Sequence, residues 1–105
     1  MATTPMTLLT VVAEDVLEPR LLRLLHEHGA SGYTITDVRG EGHRGLRQGA
    51  EGSNIRVEVI APLELAERIL EDLRERYFRS YAVVAWLAEV RVVRDEKFRP
   101  HLDAR

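Results

Sequence analysis

Residues 6–13, MTLLTVVA, carry apolar side chains on both alternating faces, Leu8 and Val12 on one and Leu9 and Val11 on the other. A strand reads that way when both its faces are covered. Leu17, Leu21, Leu24, Leu25 and His28 then recur at helical spacing and predict one buried stripe. Asp15 and Glu18 have the spacing of a capping pair, while Pro19 suits a first turn, so the helix start is left open between the two. Gly29 supplies a left-handed stop. Residues 33–39, YTITDVR, are rich in β-branched and aromatic side chains and predict a second strand. Residues 54–61, NIRVEVIA, alternate cleanly, with Ile55, Val57 and Val59 on one face and Arg56 and Glu58 on the other. Pro62 opens a second helix whose predicted buried stripe is Leu63, Ala66, Ile69, Leu70, Leu73 and Tyr77. After a short connection, residues 82–93 (AVVAWLAEVRVV) form a long last strand, apolar on both faces in its first half.

The order β-α-β-β-α-β predicts an α+β fold of the ferredoxin-like split arrangement, with both helices on one face of a four-stranded antiparallel sheet. The other face is then uncovered. Leu8 or Leu9, with Val83, Ala85 or Leu87, would lie bare on a single chain, so self-association through the sheet is expected. Trp86, which shares a strand face with Val84 and Ala88, belongs to the core or to that subunit interface.

Between the second and third strands the pattern breaks. The loop over residues 40–53 holds Gly40, Gly42, Gly45, Gly49 and Gly52, with Arg39, Arg44, Arg47 and His43 on or beside them. Glycine lets backbone N–H groups approach an anion, and arginine offers forked donors to phosphate or carboxylate. A long loop inside a tightly economical domain is more often functional than accidental. An anionic ligand, a protein partner, or both would suit it.

The totals narrow the classes. A chain of 105 residues makes one domain, residues 1–105, with the charged tail at 95–105 left without assigned structure. A net charge of -2 with both signs in heavy use gives no overall field suited to nucleic acid or acidic membranes. The absence of cysteine removes disulfides and thiolate chemistry. No apolar run nears ~20 residues, and no signal peptide is evident, so a cytoplasmic location is expected. His26 and His28 point to different sides of a helix and cannot chelate one ion, so no metal site is predicted. The RNA-recognition form of the fold needs exposed aromatics on the central strands, and residues 6–13 and 54–61 have none. An acylphosphatase-like enzyme needs a phosphate-cradling loop after the first strand, where Glu14, Asp15 and Glu18 are acidic instead. No catalytic set has supporting spacing, so the chain is read as a non-enzyme.

The stretch GYTITDVRGEG at residues 32–42 resembles the strand that leads into the T-loop of the PII signalling family. The likeness continues at residues 58–60 and in the element order, covering most of residues 6–93. Within the family it looks closest to the PII-like proteins of inorganic-carbon acquisition, the bicarbonate-transporter regulators and the carboxysome-associated group. The residues that carry this are Gly42, Arg44 and Arg47 in the loop, Ser53 and Asn54 at its end, and Tyr77, Phe78, Tyr81 and Ala82 entering the last strand. The resemblance implies a homotrimer that binds an adenine nucleotide in the cleft between each pair of subunits. Thr34, Glu58 and Ile60 would hold the adenine. Val38, Arg39, Gly40 and Gly42 would line the ribose and phosphates, and Arg44 and Arg47 would reach phosphate or a small co-bound anion. The neighbouring subunit would add the turn carrying Ser80, Val83 and Val84.

Three departures bear on the ligand. The loop has no tyrosine for nucleotidylylation and is shorter than in nitrogen-sensing PII proteins. Their glycine- and lysine-bearing phosphate clamp is replaced here by Phe78-Arg79-Ser80-Tyr81. The resemblance then favours ADP, AMP or cyclic AMP, with bicarbonate as a candidate second ligand, over triphosphate with 2-oxoglutarate. A bicarbonate transporter or a carboxysome component would be the partner that reads the loop. The alternative is a trimeric structural module of the same fold with no small-molecule ligand.

Overall fold

The computed structural model describes residues 2–40 and 53–94. Residues 41–52 of the predicted loop and the tail from residue 95 lie outside the described residues. Strand β1 (Thr4–Glu14) passes through a single 3-10 turn (Asp15–Leu17) into α1 (Glu18–Glu27). Then follow β2 (Thr34–Val38), β3 (Asn54–Ala61), α2 (Leu63–Arg76) and β4 (Val84–Val92). All pairings are antiparallel and the strand order is β2-β3-β1-β4. This is the ferredoxin-like arrangement that the element order predicts. Among the described residues, no helix is long and apolar enough to cross a membrane.

The ladder decides what the alternation left open. Leu9 pairs with Val59 on one side and Leu87 on the other, which sets all three on the helix-covered face. Leu9, Val11, Ala13, Ile55, Val57, Val59 and Ala61 are buried there against Leu21, Leu24 and Leu25 of α1 and Leu65, Ala66, Ile69 and Leu73 of α2. Val83, Ala85 and Leu87 pack against this core and are not the bare residues of β4. The open face instead carries Leu8, Val84, Trp86 and Ala88, as the pairs Leu8↔Ala88 and Val12↔Val84 require. A strand that is apolar on both sides has no periodicity from which to choose, so only its neighbours fix the choice.

Two helix expectations also change. The α-helix begins at Glu18, with Pro19 in its first turn, and Asp15 makes no capping bond. Its carboxylate accepts a hydrogen bond from Ser53 Oγ at 2.8 Å, and its N–H donates to Ser53 O at 2.9 Å. In α2 it is Leu65, not Leu63, that is buried, and Leu63 is exposed. With Pro62 at the N-cap, Leu63 sits at the very first helical position, where the helix has only just met the sheet.

Candidate ligand-binding cleft

The end of α1 shapes the first wall. Gly29 has a φ of 76°, its N–H donates to His26 O at 3.0 Å, and Ala30 N–H donates to Leu25 O at 3.1 Å. This paired closure satisfies the last helical carbonyls and turns the chain sharply toward β2. Ala30 packs against the core, so the three residues after it are carried to the sheet edge.

There, Ser31, Gly32, Tyr33 and Thr34 meet Glu58 and Ile60 of β3 and Leu8 of β1 around a hollow of about 450 Å3. Ligand pockets for small molecules run from ~300 to ~1,000 Å3, so the size suits a compact ligand or part of a larger one. Thr34 pairs with Glu58, and Glu58 with Thr10, which in turn pairs with Trp86. The four therefore form one row across the open face. Thr34 is exposed at the sheet edge, Glu58 is half-buried, and Thr10 is buried. One row further along, Ile60 pairs with Leu8 and makes the apolar floor. The hollow thus offers a hydroxyl, a carboxylate and backbone groups above an aliphatic base, a combination that suits a flat, partly polar ring.

Thr34, Glu58 and Ile60 are therefore brought together. Val38, Arg39 and Gly40 are not in the hollow; Val38, paired to Asn54, ends β2, and Arg39 and Gly40 follow it toward the loop. Arg39 and Gly40 are exposed, and a Cβ on Gly40 would meet nothing within 4 Å. Gly42, Arg44 and Arg47 lie outside the described residues. Ser80, Val83 and Val84 sit at the opposite edge, since β4 is three strands from β2. From Thr34 that is roughly 14 Å across the sheet at ~4.8 Å per strand. From Leu8, whose neighbour on β4 is Ala88, Val84 lies four residues or ~13 Å along the strand, so they do not share the hollow within a single chain.

Leu8, Ser31, Gly32 and Tyr33 are site residues that the sequence does not single out. Leu8 is hidden by the two-sided pattern of β1. Ser31, Gly32 and Tyr33 stand in the six-residue connection between α1 and β2; Gly32 and Tyr33 open the motif at residues 32–42 but carry no site role in it. A larger hollow, of about 590 Å3, lies on the other side of that connection against Pro19, Leu22, Arg23 and His26 of α1. None of the expected site residues lines it. Among the described residues, no group of three His, Asp or Glu side chains is placed to hold a metal ion.

Fold and cleft define a class: a split β-α-β sheet with one open face, an edge hollow on that face, and a long connection leaving the strand that lines it. The sequence matches nitrogen regulatory protein P-II across residues 6–97, and the chain belongs to that family. Among solved structures, a PII-like signalling protein from Thermus thermophilus is 52% identical over 93% of this chain and 99% of its own, with a TM-score of 0.82. CPII from Thiomonas intermedia, bound to ADP and bicarbonate, is 27% identical over 93% and 98% of the two chains, with a TM-score of 0.85. The same protein bound to ADP, AMP and bicarbonate is 26% identical over 93% and 97%, with a TM-score of 0.86.

Proposed function

We propose that this chain is a PII-like regulator that binds an adenine nucleotide (ADP, AMP or cyclic AMP), together with bicarbonate, in clefts between the subunits of a homotrimer. The observation that carries this reading is the hollow bounded by Thr34, Glu58 and Ile60 on the open sheet face. The two structures of CPII bound to ADP and bicarbonate support it, as does the distance of Ser80, Val83 and Val84 from that hollow, which a neighbouring copy would remove.

The regulatory step follows from where the loop begins. Thr34 lies on the same strand as Val38, which leads into residues 39–53. A ligand held at Thr34 and Glu58 and touched by Arg44 and Arg47 selects one loop arrangement from several, and a partner protein reads it. One charge-assisted arginine contact of ~1.5–3 kcal/mol shifts such an equilibrium by an order of magnitude or more. A role in inorganic-carbon metabolism, with a transporter or carboxysome component as the partner, completes the reading.

Titration calorimetry with ADP, AMP, cyclic AMP and ATP, each with and without bicarbonate, tests it. Saturable binding of a mono- or diphosphate at one site per subunit is expected. Heat-silent titrations confirmed by equilibrium dialysis would reject it in favour of a structural trimer. That second reading draws on the apolar open face alone, which calls for another copy but no ligand. Replacing both Arg44 and Arg47 by alanine should weaken nucleotide binding about tenfold or more while leaving the oligomer intact. Unchanged affinity would remove both arginines from the site.

A further inference from the structure

Arg20 stands on the exposed side of α1, yet it is not idle there. Its Nη1 donates to the Tyr81 hydroxyl at 2.8 Å, and its guanidinium carbon lies 5.8 Å from the Tyr81 ring centroid. The two residues are 61 apart in sequence, so the contact ties the first helix to the turn between α2 and β4. Tyr81 in turn meets the buried Tyr77 edge-on, with centroids 6.1 Å apart and planes at 65°. Both Ser80 N–H and Tyr81 N–H donate to Tyr77 O, at 3.2 and 3.0 Å.

The turn's other holds are apolar, since Phe78 and Tyr81 also pack against the core. Arg79 and Ser80 are exposed, and beyond Tyr81 the next anchor is Val83, which packs on the core. Among the hydrogen bonds described, the one from Arg20 reaches the turn from a different element of the fold. A side chain that does not line the hollow thus adds a polar tie to the turn that carries Ser80 and leads to Val83 and Val84.

We propose that Arg20 and Tyr81 form a brace that positions the α2–β4 turn to close the nucleotide cleft of the adjacent subunit. The inference rests on the reading above, in which Ser80, Val83 and Val84 come from that subunit. Arg20 is a positioning residue: it acts through Tyr81 and touches no ligand.

ADP affinity of the full chain, measured by calorimetry, tests this in Arg20→Ala, Arg20→Lys, Tyr81→Phe and the double variant Arg20→Ala/Tyr81→Phe. Tyr81→Phe keeps the ring and its packing and deletes only the acceptor, so it reports on the brace without disturbing the core. Each of Arg20→Ala and Tyr81→Phe should weaken ADP about three- to tenfold, the range for loss of one hydrogen bond. The double variant should be no weaker than Arg20→Ala, because Tyr81→Phe then removes nothing that the loss of Arg20 has not already removed. Arg20→Lys, which keeps one donor, should bind within about twofold of the unaltered chain. A role confined to stability would lower the melting temperature and leave affinity alone. The brace is overturned if the unaltered chain binds ADP and neither single variant loses affinity, if the losses multiply in the double variant, or if they track dissociation of the oligomer. If the unaltered chain binds no adenine nucleotide, the underlying reading falls and the brace with it.

Discussion

Gly29 is the one described residue with a positive φ, and two backbone hydrogen bonds depend on that angle. An alanine there would take on ~1–2 kcal/mol of strain, because its Cβ crowds the following carbonyl in the left-handed region. Gly29→Ala should therefore lower the melting temperature by several degrees, at about 4–8 °C per kcal/mol for a domain near this size. Because Ser31, Gly32 and Tyr33 follow directly and line the hollow, ligand affinity should fall as well. A scanning melt paired with calorimetry checks both, and an unchanged melting temperature would mean that the turn relaxes freely. Gly29 is legible in the sequence because a glycine after a helical stripe has few other reasons to be there. Leu63 and Asp15 mislead for the opposite reason. A leucine at a helix start and an acid before one each fit a common pattern, and only the three-dimensional neighbours show that Leu65 is the buried residue and that Asp15 bonds Ser53.

Whole elements are most legible where their two faces differ. β3 runs over Asn54–Ala61, the stretch the alternation marks, because apolar and charged residues take turns along it from Ile55 to Val59. β1 and β4 are recognisable as strands, but their outward faces cannot be told apart, since leucine, valine and alanine occupy both. The candidate cleft is half legible for the same reason: Thr34, Glu58 and Ile60 follow from a motif, whereas Leu8 emerges only from the ladder. Between the helices, the Asp72 carboxylate joins what the hydrophobic stripe alone does not. His28 Nε2 lies 2.9 Å from its Oδ2, and Arg76 Nε donates to its Oδ1 at 2.8 Å. Both carboxylate and imidazole are about four-fifths buried, so these contacts are screened less than a surface pair. Asp72→Ala should destabilise the chain by about 1–2 kcal/mol in urea titrations, with the end of α1 loosened first. A change under a few tenths would show that water replaces the carboxylate at no loss.

On the scale of the whole molecule, the sheet is covered by helices on one side and left with Leu8, Val84, Trp86 and Ala88 on the other. Val84 and Trp86 are exposed at 47% and 46%, a contiguous apolar pair that water penalises. A second copy laid on that face would cover them and, on the function proposed above, would bring the α2–β4 turn of one chain toward the hollow of the next. Trp86→Glu should therefore split the oligomer into folded single chains, seen as a later elution in sizing at micromolar concentration with an unchanged far-ultraviolet spectrum. It should also abolish nucleotide binding without touching the cleft residues of its own chain. An oligomer that survives the charge would place the contact elsewhere on the surface.

Trp86 is also the chain's sole indole. A fluorophore that is wet in the lone subunit and dry in the assembled one changes colour as subunits come apart. Emission followed through serial dilution would then report the tightness of association directly, with no dye or tag attached to disturb it.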